Sequence, residues 1–471
     1  MASTIRYGVL TLLHTACGAG ILAMPYAFKP FGLIPGFIMI AICGLCSLWG
    51  LILQARVTKY SKTDDNDDTA NDRSVSFFSL TQIINPNLSV IFDLAIAIKC
   101  FGVGVSYMIV VGDLMPQILS HLIPESHSTS SLLLSRNFHI TIMMLCIVSP
   151  LCFMKNLSSL RYASMVAISS VVYLCVLVVF HFLSPSQEIK DLKGELSYWL
   201  PNNEPSPLVT LPIFVFAYTC HHNMFSVINE QIDNSFHNIK KLAIIAMSLA
   251  FSLYIIIGGS GYYTFGDNIV GNIITLYPQS VSSTIGRMAI VFLVTLAFPL
   301  QCHPARASIH HIILYITMKI NDAKEIKPSN PQQEPLALSA NNQERAMLIR
   351  SERSDTLIEE ESPLQPVTVP LEGKQFILIT TSILICSYLL AISVSSLAHV
   401  LAIVGATGST SISFILPGVF GYKLIGSEML TTEQLPIKTR LFKYSGLLLS
   451  IWGVFIMITS LAASILLGAS H

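Results

Sequence analysis

Apolar residues fall along this chain in blocks long enough to cross a bilayer, separated by short polar stretches. A hydrocarbon core needs roughly 20 mostly apolar residues per helix. A window of that length finds eleven candidates, at roughly 6–28, 33–53, 88–118, 138–154, 162–183, 207–232, 241–264, 283–303, 375–397, 399–422 and 443–468. The third is long enough to require tilt. Arg6 precedes the first block as in a secretory signal, but no small-x-small cleavage site follows it, so the block reads as a retained span. Two stretches break the pattern. Residues 57–74 hold Asp64, Asp65, Asp67 and Asp68 and read as a solvated loop. Residues 319–373 are rich in Pro, Gln, Ser, Asn and charge without apolar periodicity, and read as a disordered cytosolic loop. The predicted organisation is an all-α integral membrane protein: helices 1–8 within 1–318, the loop 319–373, and helices 9–11 within 374–471.

Composition sharpens this reading. Of 471 residues, 52% are hydrophobic and 11% charged, against about 25% charged in soluble domains. Too few charges exist to cover a water-exposed surface of this size, which excludes a set of soluble domains, a disordered chain or a disulfide-rich secreted module. With 27 basic and 27 acidic residues, nothing points to nucleic acid. Position matters more than sum. With the N-terminus cytosolic, 21 of the 27 Lys and Arg fall on the cytosolic side. Only Lys29, Arg136, Lys190 and Lys193 fall on the other face, with Lys99 and Arg287 inside spans. That bias sets orientation and puts the C-terminus on the lumenal side. All ten cysteines lie within predicted spans, so no lumenal disulfide is expected, which favours an intracellular membrane over the cell surface.

Two spans carry interruptions. The first reads His14-Thr15-Ala16-Cys17-Gly18-Ala19-Gly20-Ile21-Leu22-Ala23-Met24-Pro25, with two poor helix formers flanking an alanine and a proline soon after. The sixth reads Phe216-Ala217-Tyr218-Thr219-Cys220-His221-His222-Asn223, preceded by Pro212. Unwound backbone inside a membrane is tolerated only where it lines a cavity or is buried in protein. Close packing of small residues would account for either motif alone. Spans one and six, however, are equivalents in an inverted repeat of five plus five helices, and paired discontinuous helices point to a transporter's binding site. The second half of span one begins near Ile21, with free N–H groups suited to a carboxylate. The first half of span six ends near Tyr218, with unpaired carbonyls suited to an ammonium. A zwitterion such as an α-amino acid fits both.

The run Gly18 to Phe28 resembles the first-helix motif of the amino acid/auxin permease family. Phe216 to His221, with Asn223-Met224-Phe225 and Asn229-Glu230, resembles its sixth-helix motif, and Pro299, Pro304 and Arg306 a third. Residues His14 to Phe31 and Lys99 to Tyr107 are most similar to the fungal vacuolar amino-acid exporters. The resemblance covers every span and leaves out only 319–373. It implies a LeuT-like fold, a 5+5 inverted repeat with helices 1 and 6 broken plus one C-terminal helix, and alternating access for neutral or acidic amino acids driven by protons or sodium. By position, the backbone at Cys17, Gly18, Ala19, Gly20 and Ile21 would hold the substrate carboxylate, while Phe216, Ala217, Tyr218 and Thr219 meet the amino group. Tyr107 would reach the carboxylate, or simply pack.

Sodium-coupled members are similar through the first helix but carry Asn where His14 stands, and Thr where Ala297 stands. Both oxygens expected to ligate sodium are therefore missing. A proton is then the expected coupling ion, with His14 as first carrier, since imidazole titrates near neutral pH, and His221 in reserve; no other cofactor is expected. Lys99 lies too deep to snorkel, and would contact an acidic substrate side chain, occupy a cation position or pair with another helix. Cys220, His221, His222 and His303 show no repeating ligand spacing, so no metal site is expected. No nucleophile–base pair or phosphate loop suggests an enzyme. Glu344, Leu348 and Ile349 form an acidic dileucine pattern that a sorting adaptor would read. The leading expectation is export of amino acids from the vacuole lumen to the cytosol. Its rivals are a plasma-membrane importer of the same fold, and a sensor signalling through 319–373.

Overall fold

The computed structural model describes residues 4–61, 75, 77–85, 88–123, 133–154, 161–201, 206–325, 373–428 and 435–468. Among these, every regular element is helical. In chain order the helices that matter are α1 (Ile5–Ala16), α2 (Gly20–Phe28), α3 (Leu33–Val57), α4 (Phe77–Ile84), α5 (Leu88–Leu122), α6 (Arg136–Met143) and α7 (Arg161–Leu183). There follow α8 (Pro207–Ala217), α9 (Met224–Glu230), α10 (Phe236–Phe265), α11 (Val281–Glu325), α12 (Lys374–Ser393), α13 (Leu397–Val404), α14 (Leu416–Leu424) and α15 (Ile437–Gly468).

Eight helical stretches among the described residues are long and apolar enough to cross a membrane, and nine if α1 and α2, bent by 58° at the break, form one span. The two other segments expected from hydropathy take different forms. Arg136–Cys152 is a shorter apolar helix containing a π-helical turn at Met144–Val148. The sixth is split into α8 and α9, neither long enough alone. The outer surface explains the composition: Leu45, Leu145, Met165, Leu183 and Leu466 are all at least 66% exposed. Only a hydrocarbon solvent accepts such side chains without cost.

The longest helices, α5 and α11, pack against each other through the centre. At 35 and 45 residues, each exceeds the roughly 30 Å hydrocarbon core at 1.5 Å per residue. α11 runs on to Glu325, so helical backbone occupies the first seven residues of the expected loop 319–373. A helix already nucleated in the bilayer extends cheaply through Ala, Lys and Glu. The remainder, residues 326–372, lies outside the described residues, as do Glu344, Leu348 and Ile349.

Hydrogen bonds gather the connections on two faces. On one, the amides of Leu33 and Ile34 donate to the carbonyls of Ser197 and Tyr198 (2.9 and 3.0 Å), and Gly194 donates to Phe265 (2.9 Å). Asp267 donates its amide to Glu195 (3.0 Å) and accepts that residue's own amide on Oδ1 (2.7 Å). On the opposite face, Lys59 pairs with Glu428 at 2.9 Å and the Gly426 amide donates to the Tyr60 hydroxyl at 3.0 Å.

Candidate functional site

The first break follows from its glycines. α1 stops at Ala16, the Cys17 amide donates to Leu13 (2.8 Å), and the Gly18 amide donates to Ala16 (2.8 Å). Ile21 and Leu22 donate to Gly18 and Ala19, both at 3.2 Å. The amides of Ala19 and Gly20 are accepted by no backbone carbonyl among the described residues. Of the five residues expected to present amides to a carboxylate, these are the two whose amides lack a backbone acceptor, at the positive end of α2. Gly20 is needed for close approach: a Cβ there would lie 3.0 Å from the Phe216 ring and 3.3 Å from Ala217 Cα. A Cβ at Gly18 would lie 3.0 Å from the Tyr107 hydroxyl. Tyr107 therefore stands beside the break where the carboxylate was expected.

The second break opens after Ala217. Thr219 and Cys220 are irregular, His221–Asn223 form a single 3-10 turn, and α9 resumes at Met224. The Thr219 hydroxyl donates to the Val215 carbonyl (2.9 Å) and accepts from Ser413 (3.1 Å). Tyr254 of α10 donates its hydroxyl to the Ala217 carbonyl at 2.6 Å. That carbonyl already has a partner, whereas no donor reaches the carbonyls of Tyr218 and Thr219 among the described residues. Tyr218 turns its ring away, edge-on to Tyr254 at 5.0 Å and beside Gly44. The two breaks are tied directly: Asn223 donates its side-chain amide to the Thr15 hydroxyl at 2.9 Å.

Between them lies a narrow cavity lined by Thr15, Ala16, Gly18 and Ala19 of the first break, Phe216 and Thr219 of the second, Lys99, Val103 and Tyr107 of α5, and Gln301 of α11. Gly18, Ala19, Tyr107, Phe216 and Thr219 are thus brought together; Cys17, Gly20, Ile21, Ala217 and Tyr218 sit behind the lining. His14 occupies the last turn of α1 outside the lining, with no hydrogen-bond partner among the described residues. His221 is fully buried, and its Nε2–H donates to the Ser47 carbonyl at 2.9 Å, pinning the second break to α3.

At the polar end of the cavity the sequence reveals Lys99 but not its partners. Lys99 is buried, with Nζ 3.2 Å from Gln301 Oε1 and 3.2 Å from His222 Nε2. No carboxylate pairs with it among the described residues; Asp93 instead meets His311 at 3.5 Å. Gln301 sits three residues before Pro304 and carried no signal beyond being polar within a span. Of the four residues weighed for metal, His221 and His222 are turned to Ser47 and Lys99, and among the described residues no three His, Cys, Asp or Glu side chains converge.

Residues 1–459 match the family described as transmembrane amino acid transporter protein. The chain is 61% identical over 469 residues to Vacuolar amino acid transporter 6 of Saccharomyces cerevisiae, covering 99% of both chains. It is 52% identical to Vacuolar amino acid transporter 5 of the same yeast over the full length of both. It is 34% identical to that organism's Vacuolar amino acid transporter 7, across 96% of each.

Proposed function

Since the chain belongs to the transmembrane amino acid transporter family, we propose that it exports neutral or acidic amino acids from the vacuole lumen to the cytosol, coupled to protons. It is a membrane carrier, not an enzyme. The observation that carries the substrate reading is the cavity between the two breaks. The Ala19 amide and the Thr219 carbonyl, neither with a backbone partner among the described residues, belong to cavity-lining residues and suit the two ends of a zwitterion, with the Gly20 amide and Tyr218 carbonyl next behind them. Lys99, lacking a carboxylate among the described residues, adds a cation that an acidic side chain satisfies. Vacuolar residence follows the relatives' own location, and a sorting adaptor reading Glu344, Leu348 and Ile349 is the proposed route there.

The proposed architecture is eleven spans in a LeuT-like arrangement, with Arg136–Cys152 and the α8–α9 pair as the fourth and sixth. Its support is the grouping of connections. The α2–α3 turn, the segment near Ser197 and the connection after α10 hydrogen-bond to one another, and all three are lumenal only if the sixth segment crosses. The proposed orientation is N-terminus cytosolic and C-terminus lumenal, as the Lys and Arg bias requires.

The test is purified protein in liposomes, scored for counterflow of each amino acid and then for uphill transport under a pH gradient or a sodium gradient. Counterflow of amino acids with proton-driven accumulation is expected. Sodium-dependent flux that ignores pH would overturn the coupling, and absence of amino-acid counterflow would overturn the substrate class.

A further inference from the structure

We propose that Lys99, held between His222 and Gln301, is the group that carries the coupling proton. The inference rests on the proton-coupled reading above and assigns its carrier, in place of His14 or His221.

The geometry is a contact between two basic nitrogens. Lys99 Nζ and His222 Nε2 are 3.2 Å apart, and that contact forms a hydrogen bond only when a proton lies between them. With an ammonium, Nε2 must offer its lone pair and His222 is neutral. With a free amine, Nζ still has two N–H groups and goes on donating one of them to the same lone pair, so His222 keeps its tautomer. The bond survives in both states, so the pair exchanges a proton with water without losing its contact. A doubly protonated pair would set two cations 3.2 Å apart in a buried site, so the pair behaves as one titrating unit holding one exchangeable charge. Gln301 Oε1, also at 3.2 Å, accepts from Nζ in either form.

The surroundings leave the charge to this pair. On α5 itself the nearby titratable groups are Cys100 and Tyr107, which are neutral thiol and phenol. From the second break come Cys220 and His221, the latter committed to Ser47. α11 offers neutral Gln301, the first break offers Thr15, and the π-helical turn at Gly405–Ser409 brings Gly408 against the Lys99 backbone. That packing fixes the backbone: a Cβ on Gly408 would lie 2.8 Å from both the Lys99 amide nitrogen and its Cβ. Only the side chain of Lys99 is then free to answer a change of charge. Neither His14 nor His221 reaches the cavity lining, and His221 is pinned to α3 through its Nε2–H.

The cycle balances. While the cavity is open to the acidic compartment, hydronium gives its proton to the Nζ lone pair and an N–H bond forms. The ammonium then clamps α5 to α11 and to the second break. When the cavity opens to the neutral side that N–H bond breaks, the proton passes to water, and the amine keeps donating to His222 Nε2 and Gln301 through its two remaining N–H groups. One proton accompanies each turnover.

The experiment uses the full chain in liposomes. One proton per substrate sustains about a tenfold concentration ratio for each pH unit of gradient. Lys99→Arg keeps a cation that does not release its proton. It is expected to hold no more than an equal concentration on both sides, with residual counterflow indifferent to pH between about 5.5 and 7.5. His222→Gln keeps an acceptor but cannot take the proton, and is expected to accumulate substrate with the midpoint of its pH profile moved by about one unit. Should Lys99→Arg fail to fold, as judged by its elution in detergent, the His222→Gln profile decides alone. A tenfold ratio per pH unit in Lys99→Arg overturns the assignment, as does an unmoved profile in His222→Gln, or loss of pH dependence in His14→Ala with both others normal. If the unaltered protein responds to sodium and not to pH, the proton-coupled reading itself has failed, a result separate from any of these.

Discussion

Gly18 and Tyr107 meet at the first break, where the carboxylate site is proposed, and a Cβ on Gly18 would stand only 3.0 Å from the Tyr107 hydroxyl. A valine there would place its methyl groups against the Tyr107 hydroxyl and in front of the Ala19 and Gly20 amides. Overpacking of this kind costs about 1–3 kcal/mol, which as lost binding is a factor of about 5 to 150. Gly18→Val is therefore expected to lose counterflow by at least that factor while remaining in its membrane, as measured by transport and by fluorescence of a tagged protein. Wild-type counterflow would remove Gly18 from the site. At this scale the sequence was legible at the two breaks, where glycine, proline and clustered polar residues interrupt an apolar run. It was not legible where chemistry depends on distance. Lys99 stood out as a charge in a span, yet its partners lie 123 and 202 residues away, and no periodicity within α5 could name them.

The two breaks are separate elements that the chain joins through side chains. Asn223 to Thr15, at 2.9 Å, links the 3-10 turn before α9 to the last turns of α1. Hydrogen bonds between membrane helices average about 0.6 kcal/mol in double-mutant cycles. A cycle of Thr15→Val and Asn223→Leu, read by unfolding of the purified protein, is expected to give a coupling near about 0.6 kcal/mol. Zero coupling would mean that the two half-helices move independently. Reading residue by residue located both interruptions, since poor helix formers and clustered polar residues stand out inside an apolar span. It missed the π-helical turns at Gly405–Ser409 and Ser411–Ile415, because an inserted residue in a helix leaves composition unchanged. It also ended the eighth span early, where α11 continues through polar residues to Glu325.

At the scale of the molecule, sorting and topology are the open expectations. Changing Leu348 and Ile349 to Ala is expected to divert the protein from the vacuole, and unchanged vacuolar fluorescence would rule the signal out. Topology turns on whether Arg136–Cys152 and α8–α9 cross. Arg136–Cys152 spans about 25 Å at 1.5 Å per residue, slightly short of the hydrocarbon core, so the bilayer has to thin or the flanking residues snorkel. The decisive segment is the one before α8. With nine spans it would lie on the cytosolic side. With eleven it is lumenal, together with the α2–α3 turn and the connection after α10. Ser197 and Tyr198 accept from the first of these, and Glu195 and Gly194 bond to the second; such bonds cannot form across a membrane. Lys190 and Lys193 are the only basic residues of this segment, in keeping with the scarcity of Lys and Arg on the lumenal side. A protease site inserted after Asn202 is therefore expected to survive in sealed vacuoles and to be cut once they are permeabilised. A matching site among residues 62–72 should be cut in both. Cleavage of the first site in sealed vacuoles would sink the eleven-span arrangement, and with it the equivalence of the two broken helices on which an inverted repeat depends.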